Sequence, residues 1–163
     1  MVRHAEALRA WGGALACAGV VMTLDQITKQ AAVAIVEPGH PREIIFGVEL
    51  ANVRNRGVAF GLFGGGGDLV VVITIATLAL LLIYFALNTT RPDLWLVVGL
   101  VVGGALGNLA DRVRIGSAID FIDPPVWPAF NLADVAIVGG VAWLALMLLA
   151  PDGKHDGAHD GTP

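Results

Sequence analysis

Four long runs without a charged residue dominate this chain, at positions 10–24, 69–90, 94–110 and 135–151. A helix that crosses a bilayer needs roughly 17–25 mostly apolar residues. Three of the runs reach that length, and the first reaches it if Asp25 lies at an interface or inside a bundle. With 56% hydrophobic residues among 163 and a mean hydropathy of +0.73, the chain is too apolar for an ordinary soluble domain. The reading is an all-α integral membrane protein of one domain, 1–163, with four transmembrane helices at about 10–29, 68–89, 94–112 and 132–150.

Every run ends in ionisable or amide residues. Asp25 and Lys29 follow the first, Asn108, Asp111 and Arg112 close the third, and Asn131 and Asp134 open the fourth. If the helices cross alternately, these ends share one membrane face. Charged groups near the hydrocarbon boundary are costly, so their gathering on one face marks a candidate functional site.

Composition excludes several alternatives. The net charge of −4 and the lack of a basic tract argue against nucleic acid as a partner. A single cysteine, Cys17, rules out an intrachain disulfide or a cysteine-based metal centre. The head of the chain mimics a cleavable lipoprotein signal, with basic residues, an apolar stretch and the Ala16–Cys17 junction. The apolar run continues to Leu24, however, and Ala14 stands where such a signal carries a large aliphatic residue. An uncleaved first span is therefore expected, with Cys17 a small buried hydrophobe.

Between spans, residues 43–53 mix aliphatic and polar residues in a way that suggests short strands. Gly64 to Gly67 reads as a flexible connection, since no Lys-Ser/Thr follows to make a phosphate loop. Gly99, Gly103 and Gly107 lie four apart, a spacing that lets helices approach closely in lipid. Residues 113–130 read as a loop, which Pro124, Pro125 and Pro128 keep from helix. The tail, 151–163, reads as disordered, and its His155 and His159 as solvated rather than metal-bound.

Taken singly, each polar group has a plain structural explanation. Asp25 and Lys29 form an i,i+4 ion pair. Arg112 snorkels to headgroups, where the functional alternative is a guanidinium that clamps a carboxylate or a carbonyl. Asn131 caps a helix whose first turn holds Asp134. Asp120 is different: it lies in an apolar stretch of a loop anchored at both ends on the motif face, so it can approach Asp134. Two carboxylates in contact hold one proton between them, as in aspartic proteases. Such a pair can activate water with one member and protonate a carbonyl oxygen with the other. A proton-coupled transporter and a non-catalytic scaffold are the competing classes. The first predicts polar groups near mid-membrane, and the second gives Asp120 and Asp134 no role.

Five segments in order resemble the lipoprotein signal peptidases, the signal peptidase II family. They are Asp25-Gln26-Ile27-Thr28-Lys29, Asn55-Arg56-Gly57-Val58-Ala59-Phe60, the stretch from Gly103 to Arg112, Ala118-Ile119-Asp120-Phe121-Ile122, and Phe130-Asn131-Leu132-Ala133-Asp134. The resemblance implies an intramembrane aspartic endopeptidase that removes the signal peptide from prolipoproteins, cutting before a diacylglyceryl-modified cysteine. By position it makes Asp120 and Asp134 the catalytic pair, and Asp25, Lys29, Asn55, Asn108, Arg112 and Asn131 supporting residues. Asp111, the competing acid, is assigned a structural role beside Asn108 and Arg112.

The family further implies a small extramembrane β-platform, here in the region 43–61, and a multi-pass protein of the bacterial inner membrane. Both termini would be cytoplasmic and the active site near the outer face. Loop charge opposes that orientation: Arg3, Arg9, Arg91 and Lys154 fall inside, against Lys29, Arg42, Arg54, Arg56, Arg112 and Arg114 outside. The expected partners are prolipoprotein substrates and membrane lipids, with no metal or other cofactor, and a monomer suffices because one chain holds every motif. The thirteen residues between Asp120 and Asp134 make a shorter loop than expected for the family.

Overall fold

The computed structural model describes residues 2–57 and 66–149. Four helices in it are long and apolar enough to cross a membrane. They are α1 (Val2–Ile35), α2 (Gly66–Leu87), α3 (Leu94–Ile115) and α4 (Leu132–Leu149). A three-stranded antiparallel sheet joins them at one end, built from β1 (Arg42–Ile45), β2 (Val48–Asn55) and β3 (Ala118–Asp123) in that spatial order. This is the four-span membrane fold with a small β-platform that the sequence suggested.

The helix boundaries differ from expectation in instructive ways. The first helix starts at Val2 and runs to Ile35, so residues 2–9 are helical rather than a separate head. Nothing in that stretch breaks a helix until Pro38, which disfavours helical geometry in the residue before it. At 34 residues, α1 is roughly 50 Å long and outreaches a hydrocarbon core of about 30 Å. Asp25 and Lys29 thus lie well inside the helix rather than at its end. Gly66 and Gly67 open α2 instead of belonging to a loop, while Gly64 and Gly65 lie outside the described residues. The tail reading also falls outside them.

α3 is the centre of the bundle. Of its most apolar stretch 61% is buried, against 6% for α2, which shows most of its surface to lipid. Close approach to α3 depends on glycines. A β-carbon at Gly99 would lie 2.5 Å from Cys17 Cβ, and one at Gly103 would lie 2.7 Å from the Ala18 carbonyl, so α1 rests on a bare strip of α3. Gly104 receives α4 in the same way, 2.5 Å from the Ala133 carbonyl oxygen. Away from the sheet, Ala14, Phe85, Leu94, Val97 and Val98 form a buried apolar cluster, with Trp11 edge-on to Phe85 at a centroid distance of 4.7 Å.

The segment 113–130, expected to be loop, contains β3. α3 stops at Gly116, whose left-handed backbone (φ 73°) lets its N–H reach Arg112 O at 2.9 Å. The chain then turns straight into the strand. β3 pairs with β2 so that Asp120 faces Val53 and Ala118 faces Asn55. Past Asp123 the prolines turn the chain, and Phe130 returns to bridge Ile122 through N–H···O bonds of 2.9 and 3.0 Å. That bridge delivers Asn131 and the head of α4 beneath β3.

The β1–β2 hairpin closes in two residues, since Ile45 pairs with Val48. Phe46 (φ 48°) and Gly47 (φ 79°) both take left-handed geometry, as a type I′ turn requires. For Phe46 that geometry costs roughly 1–2 kcal/mol.

Candidate active site

The site lies where the ends of α1, α3 and α4 meet β2 and β3, and it consists of two connected halves. The first is a buried ionic cluster. Lys29 extends from α1 with no exposed surface and uses all three of its donors. Its Nζ lies 2.8 Å from Asp25 Oδ2, 2.8 Å from Asp111 Oδ2 and 2.8 Å from Asn108 Oδ1. Asp25 Oδ1 also accepts the Ala133 N–H at 3.0 Å, so a side chain of α1 satisfies an open donor at the start of α4. A β-carbon at Gly107 would stand 2.5 Å from Asp25 Oδ2; its absence makes room for the carboxylate.

Asp111 is saturated. Besides Lys29 it accepts Gln26 Nε2 at 3.1 Å, the Ile119 N–H at 3.3 Å and Arg114 at 2.8 Å. The expected structural role fits this geometry, but the partners differ from those expected. Asn108 and Arg112 were to flank Asp111; instead Gln26, Lys29 and Arg114 hold it. Arg112 turns the other way. Its Nη1 donates to Asn108 O at 3.3 Å, and its buried Nε has no protein partner among the described residues. Arg112 lines a cavity of about 180 Å3 with Val70, Thr74, Asn108, Asp134 and Ile137, between α2, α3 and α4.

The second half is the aspartate pair. Asp120 is buried on β3, a strand rather than the expected loop. Its Oδ2 accepts Asn55 Nδ2 at 2.8 Å and its Oδ1 accepts Asn131 Nδ2 at 2.7 Å. The sheet explains the first contact: Val53 lies opposite Asp120, and Asn55, two residues on, points to the same face. Asn55 is itself fixed because its Oδ1 accepts the Gly57 N–H at 2.8 Å. The remainder of that motif, Val58 to Phe60, lies outside the described residues.

Asp134 and Asn131 form the capping pair that the sequence suggested as a purely local device. Asn131 Oδ1 accepts the Asp134 N–H at 3.0 Å, and Asp134 Oδ2 accepts the Asn131 N–H at 3.1 Å. The same two residues also belong to the site. Asn108 Nδ2 donates to Asp134 Oδ1 at 2.8 Å, and Asn131 Nδ2 also lies 2.9 Å from Asn108 Oδ1. Asn108 therefore joins the ionic cluster to the aspartates. Helix capping and site building are here one arrangement.

Electrostatics acts on the Asp120 carboxyl. Burial pushes the Asp120 carboxyl above its ordinary value, the Asn55 amide opposes that, and the nearby charge of Asp134 raises it further. A carboxyl that keeps its proton beside a second carboxylate can act as an acid while its neighbour acts as a base.

All the residues expected at the site are brought together here: Asp25, Lys29, Asn55, Asn108, Arg112, Asp120, Asn131 and Asp134. Gln26 and Arg114 were not foreseen. Gln26 Nε2 reaches Gly107 O at 3.1 Å as well as Asp111, and Arg114 donates to Gln26 Oε1. Gln26 stood within the first motif, between Asp25 and Lys29. Arg114 lies three residues beyond Asp111, helical spacing for an ion pair, but had been counted among loop charges.

The arrangement has close counterparts. A family model described as signal peptidase (SPase) II matches residues 17–150. The lipoprotein signal peptidase of Syntrophomonas wolfei is 44% identical over 151 residues, covering 91% of this chain and 97% of that protein. That of Halothermothrix orenii is 42% identical over 130 residues, covering 79% and 90%. A solved structure described as a bacterial membrane enzyme, determined by the in meso method at 1.9 Å, superposes with a TM-score of 0.76 at 32% identity, over 86% of this chain and 94% of that one. With the family model matched over most of its length and relatives above 40% identical along nearly all of theirs, this chain belongs to the signal peptidase II family, the intramembrane aspartic endopeptidases of lipoprotein maturation.

Proposed function

We propose that Asp120 and Asp134 are the catalytic pair of this signal peptidase. The observation that carries the assignment is Asn131, which hydrogen-bonds both carboxylates, Asp120 through its side chain and Asp134 through its backbone. Asp120, with its carboxyl raised by burial, holds the shared proton. Asp134 takes a proton from water as that water attacks the scissile carbonyl carbon. Asp120 gives its proton to the carbonyl oxygen. The tetrahedral intermediate then collapses: the C–N bond breaks, the amine leaves with the proton held on Asp134, and the hydroxyl proton returns to Asp120.

The supporting residues have separate tasks. Asn55 and Asn131 fix the Asp120 carboxyl. Asn108 orients Asp134 and links it to Lys29. Lys29 and Asp25 set the position of the α4 head. Arg112, which lines the cavity beside Asp134 and whose Nε has no protein partner among the described residues, binds the substrate main chain. The substrate is a prolipoprotein whose cysteine carries diacylglycerol, cut immediately before that cysteine. The site draws every group from one chain, which supports a monomer.

The active face is the outer one, with both termini cytoplasmic. The structure alters the charge count that opposed this. Lys29 is buried among acids, Arg114 pairs with Asp111 and Arg112 lines the cavity. None of the three is a free loop charge, which leaves Arg42, Arg54 and Arg56 outside against Arg3, Arg9, Arg91 and Lys154 inside.

The test is cleavage by purified protein in nanodiscs, followed by gel shift, on a diacylglyceryl-modified prolipoprotein and its unlipidated form. Wild type cuts only the lipidated form. Asp120→Asn and Asp134→Asn stay folded and lose at least about 100-fold in turnover. Retained cleavage by Asp120→Asn refutes the pair and promotes Asp111.

A further inference from the structure

The tip of the β1–β2 hairpin plays no part in the chemistry, yet its side chains are costly to leave in water. Ile44, Ile45 and Phe46 are consecutive and all exposed, Phe46 at 91%. β1 is an edge strand, exposed along its whole length. An exposed apolar edge is a site of adventitious pairing that proteins ordinarily blunt with charge or cover. This tip keeps three large hydrophobics. It also places a phenylalanine where turn geometry favours Asn or Gly.

Its surroundings say what covers it. The turn packs beside the proline loop: a β-carbon at Gly47 would lie 3.6 Å from Pro125 Cγ, an ordinary contact. The next residues of that loop, Val126 and Trp127, are 92% and 69% exposed. Trp127 then lines an open, mostly apolar groove of about 400 Å3 with Phe130, Asp134, Val135 and Val138 on the flank of α4. Val135 and Val138 are exposed on a membrane-spanning helix, so they face lipid. Exposed apolar side chains thus lead from the bilayer-facing side of α4, through Trp127 and Val126, toward the hairpin whose turn packs on Pro125. Tryptophan is the residue that membrane proteins favour at the level of the headgroups. The polar end of the hairpin lies at its base, where His40 and Pro41 lead into Arg42, while the Glu43 carboxylate folds back to accept the Gly47 N–H at 3.1 Å and so satisfies the turn's backbone.

We propose that this hairpin tip is a lipid anchor. Ile44, Ile45 and Phe46 dip into the bilayer beside the head of α4, with Trp127 at the headgroup level, and hold the platform against the membrane surface. The occupant is acyl chain from the surrounding bilayer. The inference rests on the membrane fold and is independent of which acid is catalytic.

The test is spin labelling of the full chain in phosphatidylcholine–phosphatidylglycerol liposomes without substrate. Cys17→Ala removes the native thiol, and Ile44→Cys, Phe46→Cys and His40→Cys each introduce one label. The expected result is that labels at positions 44 and 46 collide with dissolved oxygen more than with a water-soluble nickel chelate, and the label at 40 the reverse. A second variant separates anchoring from folding: Phe46→Gly relieves the left-handed strain, so the turn persists, and combined with Ile44→Cys it exposes the label to nickel. Equal nickel access at 46 and 40 overturns the proposal. So does protection that appears only after prolipoprotein is added, which assigns the tip to substrate, or only at high protein density, which assigns it to a second copy.

Discussion

The side-chain amide of Asn131 donates to Asp120 Oδ1 at 2.7 Å, and through that bond the head of α4 is held to the central carboxyl of β3. Asn131 is also the cap of α4. The two duties separate by substitution. Asn131→Ser keeps a good capping oxygen and loses the amide, whereas Asn131→Ala loses both. Both variants are expected to lose turnover. Both also lose the buried bonds of that amide, and the alanine variant is expected to be less stable than the serine variant by a further roughly 0.5–2 kcal/mol, read by thermal unfolding in detergent. Equal unfolding of the two would show that the cap contributes nothing.

The proton proposed for Asp120 sets a pH dependence with a definite sign. Burial raises its carboxyl and the Asn55 amide, bonded to the charged form, lowers it. The alkaline limb of kcat is therefore expected above the ordinary carboxyl range, and Asn55→Ala should move it higher still. Stability follows the same linkage. The folded chain keeps this proton where the unfolded chain has lost it, so stability falls as pH rises from the ordinary aspartate value to the raised one. A limb that moves down in Asn55→Ala would contradict the assignment.

Among the described residues, Lys29 is the sole cation bonded to Asp25 and the buried one bonded to Asp111. Lys29→Met leaves Asp25 without a charge partner and Asp111 with only the half-exposed Arg114. The expected cost is about 3–5 kcal/mol, enough to reduce accumulation of folded protein in the membrane. Lys29→Met with Asp25→Asn should recover part of the loss. No recovery would mean that the two are not energetically coupled.

Gly107→Ala tests the approach of α1 to α3. The new methyl meets the Asp25 carboxylate, which is held by Lys29 and Ala133 and has nowhere to retreat. Overpacking of this kind costs roughly 1–3 kcal/mol. Because Asp25 supports the start of α4, turnover should fall as well. Gly12→Ala, where a β-carbon meets open space, is the control and should leave both unchanged.

Local pattern made the helices, the Asp25–Lys29 pair and the Asn131–Asp134 cap legible, because each depends on spacing along one segment. The direction of Asp111 was not. Asn108, Asp111 and Arg112 share a helical spacing, but which of them faces Lys29 is decided by how α1 lies on α3, and that is set by glycines at a distance. β3 was missed for a related reason. In Ala118-Ile119-Asp120 both faces of the strand are buried, so the apolar–polar alternation that marks a half-exposed strand is lacking. The prolines that follow strengthened the reading as loop, although they only end the strand. Gln26 was passed over because a neutral amide between two charged residues attracts no notice until its partners are known.

The bond from the Ala133 N–H to Asp25 joins the first membrane helix to the last. Since Asn108 comes from the third, the site stays incomplete until α1, α3 and α4 are all in place. A chain emerging into the bilayer is therefore inert until its final span is seated, and the protease cannot act on the membrane's other proteins during its own insertion. Assembly of the bundle is itself the activation step.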